Sequence, residues 1–221
     1  MNIRVLITLA FVGLIPGQLH AYSLLDDLTE SQKNTVESGG QIVIEKEMPD
    51  KPWPRVIVYQ RVKATPEEVA AVFLDYENAK SYIPDVLGST ISKSISPKIS
   101  EVDYWVDVPI LPDEHYTARN EISKPENNVY VISWKVIRAL QTKDAEGHLR
   151  IEALPSGFSV IRYTNLVTPG SSMAKILRTP AIERMKKSVH SIVNHTEKQK
   201  SLHPTELAKQ VAALQAAIDS N

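Results

Sequence analysis

Between residues 41 and 167 apolar and polar positions alternate with a period of two through one run after another. QIVIEKEM and RVIVYQRVKA, joined by the proline-rich PDKPWP, read as a first pair of strands. Further runs of this kind fall at about 86 to 96, 99 to 108, 116 to 124, 128 to 137, 141 to 154 and 157 to 167. Turn-like SPK, LPDE, KPENN, an interrupting DAEG and PSG separate them, which predicts antiparallel neighbours in a strongly curved sheet.

A period near 3.6 replaces the period of two in three places. Ser23 to Ser38 carries Leu24, Leu25, Leu28 and Val36 on a loosely helical spacing and stops at Gly39-Gly40. TPEEVAAVF opens with Thr65 as a cap, Pro66 at the first helical position and Glu68 closing a capping box; Val69, Val72 and Phe73 form its apolar face. Towards the end, Met173, Ile176 and Leu177 precede Pro180, and Ile182, Met185, Val189, Ile192 and Thr196 continue one stripe in steps of three and four. Arg184, Lys186, Lys187 and His190 make a basic, solvated opposite face. After a polar linker KQKSLHP, a final helix repeats the stripe at Leu207, Val211, Leu214 and Ile218.

The first residues change the picture of where the chain works. Arg4, an apolar run of about eleven residues from Val5 to Ile15, Pro16-Gly17 and a small residue at Ala21 have the form of an export signal, and the run is short of the roughly 20 residues a bilayer span needs. The division that follows is a signal peptide over 1–21, an N-terminal helix over 22–40, a main domain over 41–199 and a helical tail over 200–221. An exported, periplasmic location is the expectation. With no cysteine, disulfides, thiolate catalysis and cysteine metal sites are excluded. A net charge of −1 and scattered Lys and Arg give no stripe for nucleic acid.

The order of elements carries a resemblance. A strand pair, a short helix opened by Thr-Pro-Glu-Glu, a run of antiparallel strands and a long last helix resemble the START-like, or polyketide-cyclase and pollen-allergen-like (SRPBCC), superfamily. VKATPEEVAAVFLDYENAKSYIPDV is similar to the opening of such domains, VPILPDEHYTARNEIS to their proline-containing strand connection, and TPGSSMAKILRTPAIERMKKSV to the entry of their last helix. The resemblance spans roughly residues 40 to 198, and Asp113-Glu114-His115 stand where such domains often carry Arg-Asp. It implies an α+β helix-grip fold, a curved antiparallel sheet wrapped around the long C-terminal helix, with an internal cavity between them for lipids, sterols, quinones, hormones or polyketides.

On that fold Tyr130, Ile132, Trp134 and Val136 share one strand face and point towards Met185 and Val189, either as closed core or as the wall of a cavity. Alternation also turns Tyr104, Asn120, Tyr163 and Asn165 inward. An unpaired buried amide costs on the order of 1 to 3 kcal/mol, so each Asn needs a partner: a ligand head group, water, or backbone at a strand end. The candidate ligand-binding set is therefore Tyr104, Asn120, Tyr130, Trp134, Tyr163, Asn165, Met185 and Val189.

Other constellations are weaker. Glu101, Asp103 and Asp107 share a face with Trp105, opposite Val102, Tyr104, Val106 and Val108, and read as solvated. His190 and His195 lie about 140° apart around a helix and do not converge on a metal. His115 beside Glu114 is a candidate acid-base pair in a turn. No phosphate loop, dinucleotide fingerprint or nucleophile elbow occurs. The sequence thus points to a non-catalytic carrier of a hydrophobic small molecule or lipid, with no cofactor and no metal. The alternatives are a cyclase or dehydratase using the same cavity, with His115, Tyr104 or Tyr163 moving protons, and an interaction module using the last helix. Transient membrane contact and self-association through that helix stand beside them as partner expectations.

Overall fold

The computed structural model describes residues 22–108, 111–170 and 174–220; the expected export signal lies outside them. Among the described residues there are eight strands: β1 (Gln41–Lys46), β2 (Arg55–Val62), β3 (Val86–Ser96), β4 (Ile99–Val106), β5 (Glu114–Glu126), β6 (Val129–Ala139), β7 (Thr142–Leu154) and β8 (Phe158–Pro169). They form one antiparallel sheet in the order β1-β2-β8-β7-β6-β5-β4-β3. The β1 and β3 edges do not pair, so the sheet curves without closing.

The first α-helical stretch departs from expectation. Instead of one helix, a 3-10 turn (Leu24–Asp27) precedes α1 (Glu30–Glu37), because Thr29 is extended and caps α1 together with Gln32. Leu24, Leu28 and Val36 cover Ile57, Tyr59 and Val160 on the convex face of the sheet. This explains the unbroken apolar run Val56 to Tyr59, since a strand covered on both faces loses its alternation. Asp27 fastens the segment, accepting hydrogen bonds from the Tyr59 hydroxyl at 2.7 Å, from Arg162 Nη1 at 2.7 Å and from Tyr22. Burial alone would raise its pKa, but these donors outweigh it and hold the carboxyl below its ordinary range.

α2 (Pro66–Phe73) has the expected capping box: Glu68 N donates to Thr65 Oγ1 at 3.4 Å and Thr65 N donates to Glu68 Oε2 at 2.7 Å. Lys200 Nζ reaches the same carboxylate at 2.8 Å and ties the far end of the long helix to this cap. That helix, α3, runs from Ala174 to Leu202 and so continues through the residues read as a polar linker. Lys198 to Leu202 are adequate helix formers, and the break falls only at His203, which Pro204 keeps out of the helical region. The 199/200 boundary therefore lies inside α3.

α4 (Pro204–Asp219) packs back on α2. Leu207 and Leu214 are buried, and Val211 and Ile218 lie against the main core, so the apolar stripe is used within the chain. Among the described residues no helix is long and apolar enough to cross a membrane.

Candidate ligand pocket

One cross-strand row organises the concave face. Asn120, Trp134, Gly147 and Asn165 sit opposite one another on β5, β6, β7 and β8. The Trp134 indole fills the space that a side chain at position 147 would take: a Cβ there would meet Trp134 Cζ2 at 2.5 Å and the Thr164 carbonyl oxygen at 2.3 Å. Passing over Gly147, Trp134 Nε1 donates to Asn165 Oδ1 at 3.4 Å. Asn120, nearly fully buried, donates from Nδ2 to the Ala118 carbonyl at 3.1 Å. The backbone and a neighbouring indole thus meet the hydrogen-bonding demand that the buried amides raise.

Aromatic rings continue from this row. Trp134 lies 5.0 Å from Tyr163 and 5.9 Å from Phe73 between ring centroids, while Tyr104 stacks on Tyr116 at 5.1 Å across β4 and β5. Facing them, α3 presents Leu177, Ala181, Met185, Ser188 and Ile192, one helical face in steps of three and four. Between sheet and helix lies a pocket of about 370 Å³. At its rim Arg184 crosses from α3 to the sheet. Its Nη1 donates to the Asp107 carbonyl at 2.6 Å, and its Nη2 lies 2.8 Å from Asp107 Oδ2 and 3.3 Å from Asp85 Oδ1.

Six of the eight residues expected at the site line this pocket: Tyr104, Asn120, Trp134, Tyr163, Asn165 and Met185. Tyr130 and Val189 do not. Each is 1% exposed in the closed core, which α4 and the body of α2 cover, whereas at the pocket α2 contributes its last residue, Phe73. The Tyr130 hydroxyl reaches Glu67 Oε1 at 3.4 Å on α2. Sequence reasoning missed Tyr116, which alternates in phase with Ala118 and Asn120 and could have been found by the same rule. It also placed Arg184 on a solvated face and Asp107 on an outer one. β4 ends at Val106, so alternation no longer governs position 107, and the carboxylate turns to meet the guanidinium.

Burial raises the phenol pKa of Tyr104, Tyr116 and Tyr163. They are neutral donors at physiological pH. Among the described residues none of these three hydroxyls meets a protein hydrogen-bond partner. The candidate pair His115 and Glu114 does not form. His115 is exposed and stacks on Trp105 at 5.4 Å, whereas Glu114 is buried and accepts from Leu140 N at 2.9 Å, Gln141 N at 3.1 Å and Thr142 Oγ1 at 2.9 Å. Successive strand residues point to opposite faces, which separates the two. His190 meets Gln60 at 3.1 Å, and His195 stacks on Tyr82 at 4.1 Å. No group of three or more metal-ligating side chains converges among the described residues.

On the convex side a second cleft, of about 460 Å³, is lined by Arg55, Lys135, Glu146 and His148, and by Trp134 seen through the gap at Gly147.

Neither a protein-family profile nor a curated protein matches the sequence. Solved structures do share its fold. A STAR-related lipid transfer protein from Xanthomonas axonopodis superposes with a TM-score of 0.64 at 15% identity, over 71% of this chain and 93% of that one. The Zhui aromatase/cyclase from Streptomyces sp. R1128 gives 0.58 at 16% identity, over 66% and 94%. Human STARD10 gives 0.56 at 17% identity, over 79% and 82%. The chain has the START-like helix-grip fold.

Proposed function

We propose that the protein binds a hydrophobic small molecule or lipid in the pocket between β4 to β8 and α3, and carries it without altering it. One observation carries the reading: an apolar, aromatic-walled space of about 370 Å³ into which only a few polar groups project. Ligand sites commonly have this make-up, apolar contact for affinity with sparse polar groups for orientation. The structural neighbours named for lipid transfer support a carrier. Those named as aromatase/cyclases keep a second reading in view, but the groups such chemistry would need are poorly set. Raised phenol pKa values make Tyr104 and Tyr163 poor bases, and His115 faces away from the pocket. Arg4, the apolar run and Ala21 support an exported carrier whose mature chain starts near Tyr22.

Native mass spectrometry of the purified protein tests the binding. A bound mass is expected, and Ala181→Trp, which fills the pocket from α3, should abolish it while far-UV circular dichroism stays unchanged. An empty wild-type protein that also takes up no hydrophobic probe would overturn the reading. N-terminal sequencing tests the export, and an intact Met1 on membrane-extracted protein would mean an anchor instead.

A further inference from the structure

The charges around the pocket are unequal. Among the described residues its lining holds three carboxylates, Asp85, Asp107 and Glu114, against one cationic side chain, Arg184. That guanidinium is already committed, one arm to the Asp107 carbonyl and the other to the carboxylates of Asp107 and Asp85. Asp85 is held for this task in the left-handed region, at φ 71°, with its carbonyl accepting from Asp107 N at 2.8 Å. The Glu114 carboxylate is occupied by two backbone amides and a threonine hydroxyl, none of which carries a formal charge to offset it. What the described residues leave to greet a ligand is neutral: the phenols of Tyr104, Tyr116 and Tyr163, which donate hydrogen bonds but bring no positive charge.

We propose that this excess of carboxylates makes the pocket select uncharged, hydrogen-bond-accepting ligands and reject anionic ones, with Asp85 and Asp107 as the residues that set the preference. The inference rests on the pocket being the ligand site. A carboxylate or phosphate entering it gives up water, finds Arg184 already neutralised, and is repelled by charges acting through a medium less screening than water. A carbonyl or hydroxyl pays no such penalty and can accept from a phenol.

Two probes with one skeleton separate charge from shape: 2-acetylnaphthalene, which is neutral, and 2-naphthoate, which is an anion. Their two-ring size is suitable, since an apolar cavity of about 150 Å³ takes up benzene and this pocket is larger. Isothermal titration calorimetry at pH 7.5 should show 2-acetylnaphthalene binding about tenfold or more tightly than 2-naphthoate. Raising the salt concentration should tighten 2-naphthoate and leave the ketone unchanged, because only the anion is repelled. In the Asp85→Asn/Asp107→Asn double variant the two affinities should converge, as Arg184 loses its counter-charges. Equal or tighter binding of 2-naphthoate by the wild-type protein overturns the inference alone, whether or not the double variant folds. A preference that persists undiminished in the folded variant overturns the assignment to Asp85 and Asp107. If neither probe nor unsubstituted naphthalene binds, the pocket is not a ligand site and both proposals fall.

Discussion

The two halves of β6 present the same face of one strand to very different surroundings. Tyr130 and Ile132 are sealed against Leu149, Ile151 and Ile161, with Val69 of α2, Leu214 of α4 and Val193 of α3 closing over them. Two residues further on, Trp134 is only partly buried and borders the pocket, with α3 opposite and α2 reaching it through its last residue, Phe73. Alternation dictates which face a side chain takes. It says nothing about how many layers cover that face. The difference between core and pocket is set by where α2 and α4 stop.

Removing α4, residues 204–221, should break the comparison most severely. Leu207 and Leu214 alone represent roughly 3 to 6 kcal/mol of burial, so a large fall in the urea midpoint is expected. An unchanged midpoint would mean that the helix does not seal this end. The next effect compares the halves directly. Ile132→Ala should cost about 2 to 5 kcal/mol, as for a closed core, whereas Trp134→Ala, despite losing more atoms, should cost less than about 3 kcal/mol because part of the indole faces open space. The two are measured by urea denaturation, and a Trp134 cost above that of Ile132 would reverse the assignment of open and closed ends.

At the open end the phenols give a dependence on pH. In the folded protein burial holds Tyr104, Tyr116 and Tyr163 protonated above the ordinary phenol value of 10.0. Unfolded, the same groups lose their protons near that value. Stability is therefore fully present below pH 10 and declines as pH rises beyond it. Thermal melts across this range should show the decline, and Tyr116→Phe should lessen it. The smallest effect expected at neutral pH is that of Tyr163→Phe. Among the described residues its hydroxyl has no protein partner to strand, so stability should shift by under about 0.5 kcal/mol, and a larger loss would reveal a bond within the fold.

Much of this fold could be read in the order of residues. The capping box at Thr65 and Glu68, the strand limits between Val86 and Leu154, and the inward faces of β4, β6 and β8 all follow from local chemistry that the folded state keeps. The parts that were not legible depend on what packs from elsewhere. Val189 lies on the same helical stripe as Met185, and only the position of the α2 layer assigns one to the core and the other to the pocket. Arg184 looks like any solvated arginine until Asp85, about a hundred residues earlier, is brought beside it. The break at Leu28 and Thr29, by contrast, was written locally in the Thr29 and Gln32 pair and could have been read.

Gly147 leaves no side chain where the Trp134 indole lies against the sheet. A single indole then forms part of two boundaries, the pocket on the concave side and the cleft on the convex side. Emission from Trp134 therefore answers to two compartments at once. Iodide in the outer cleft can quench it even when the pocket is full, so its colour reports contents and its quenching reports the back wall.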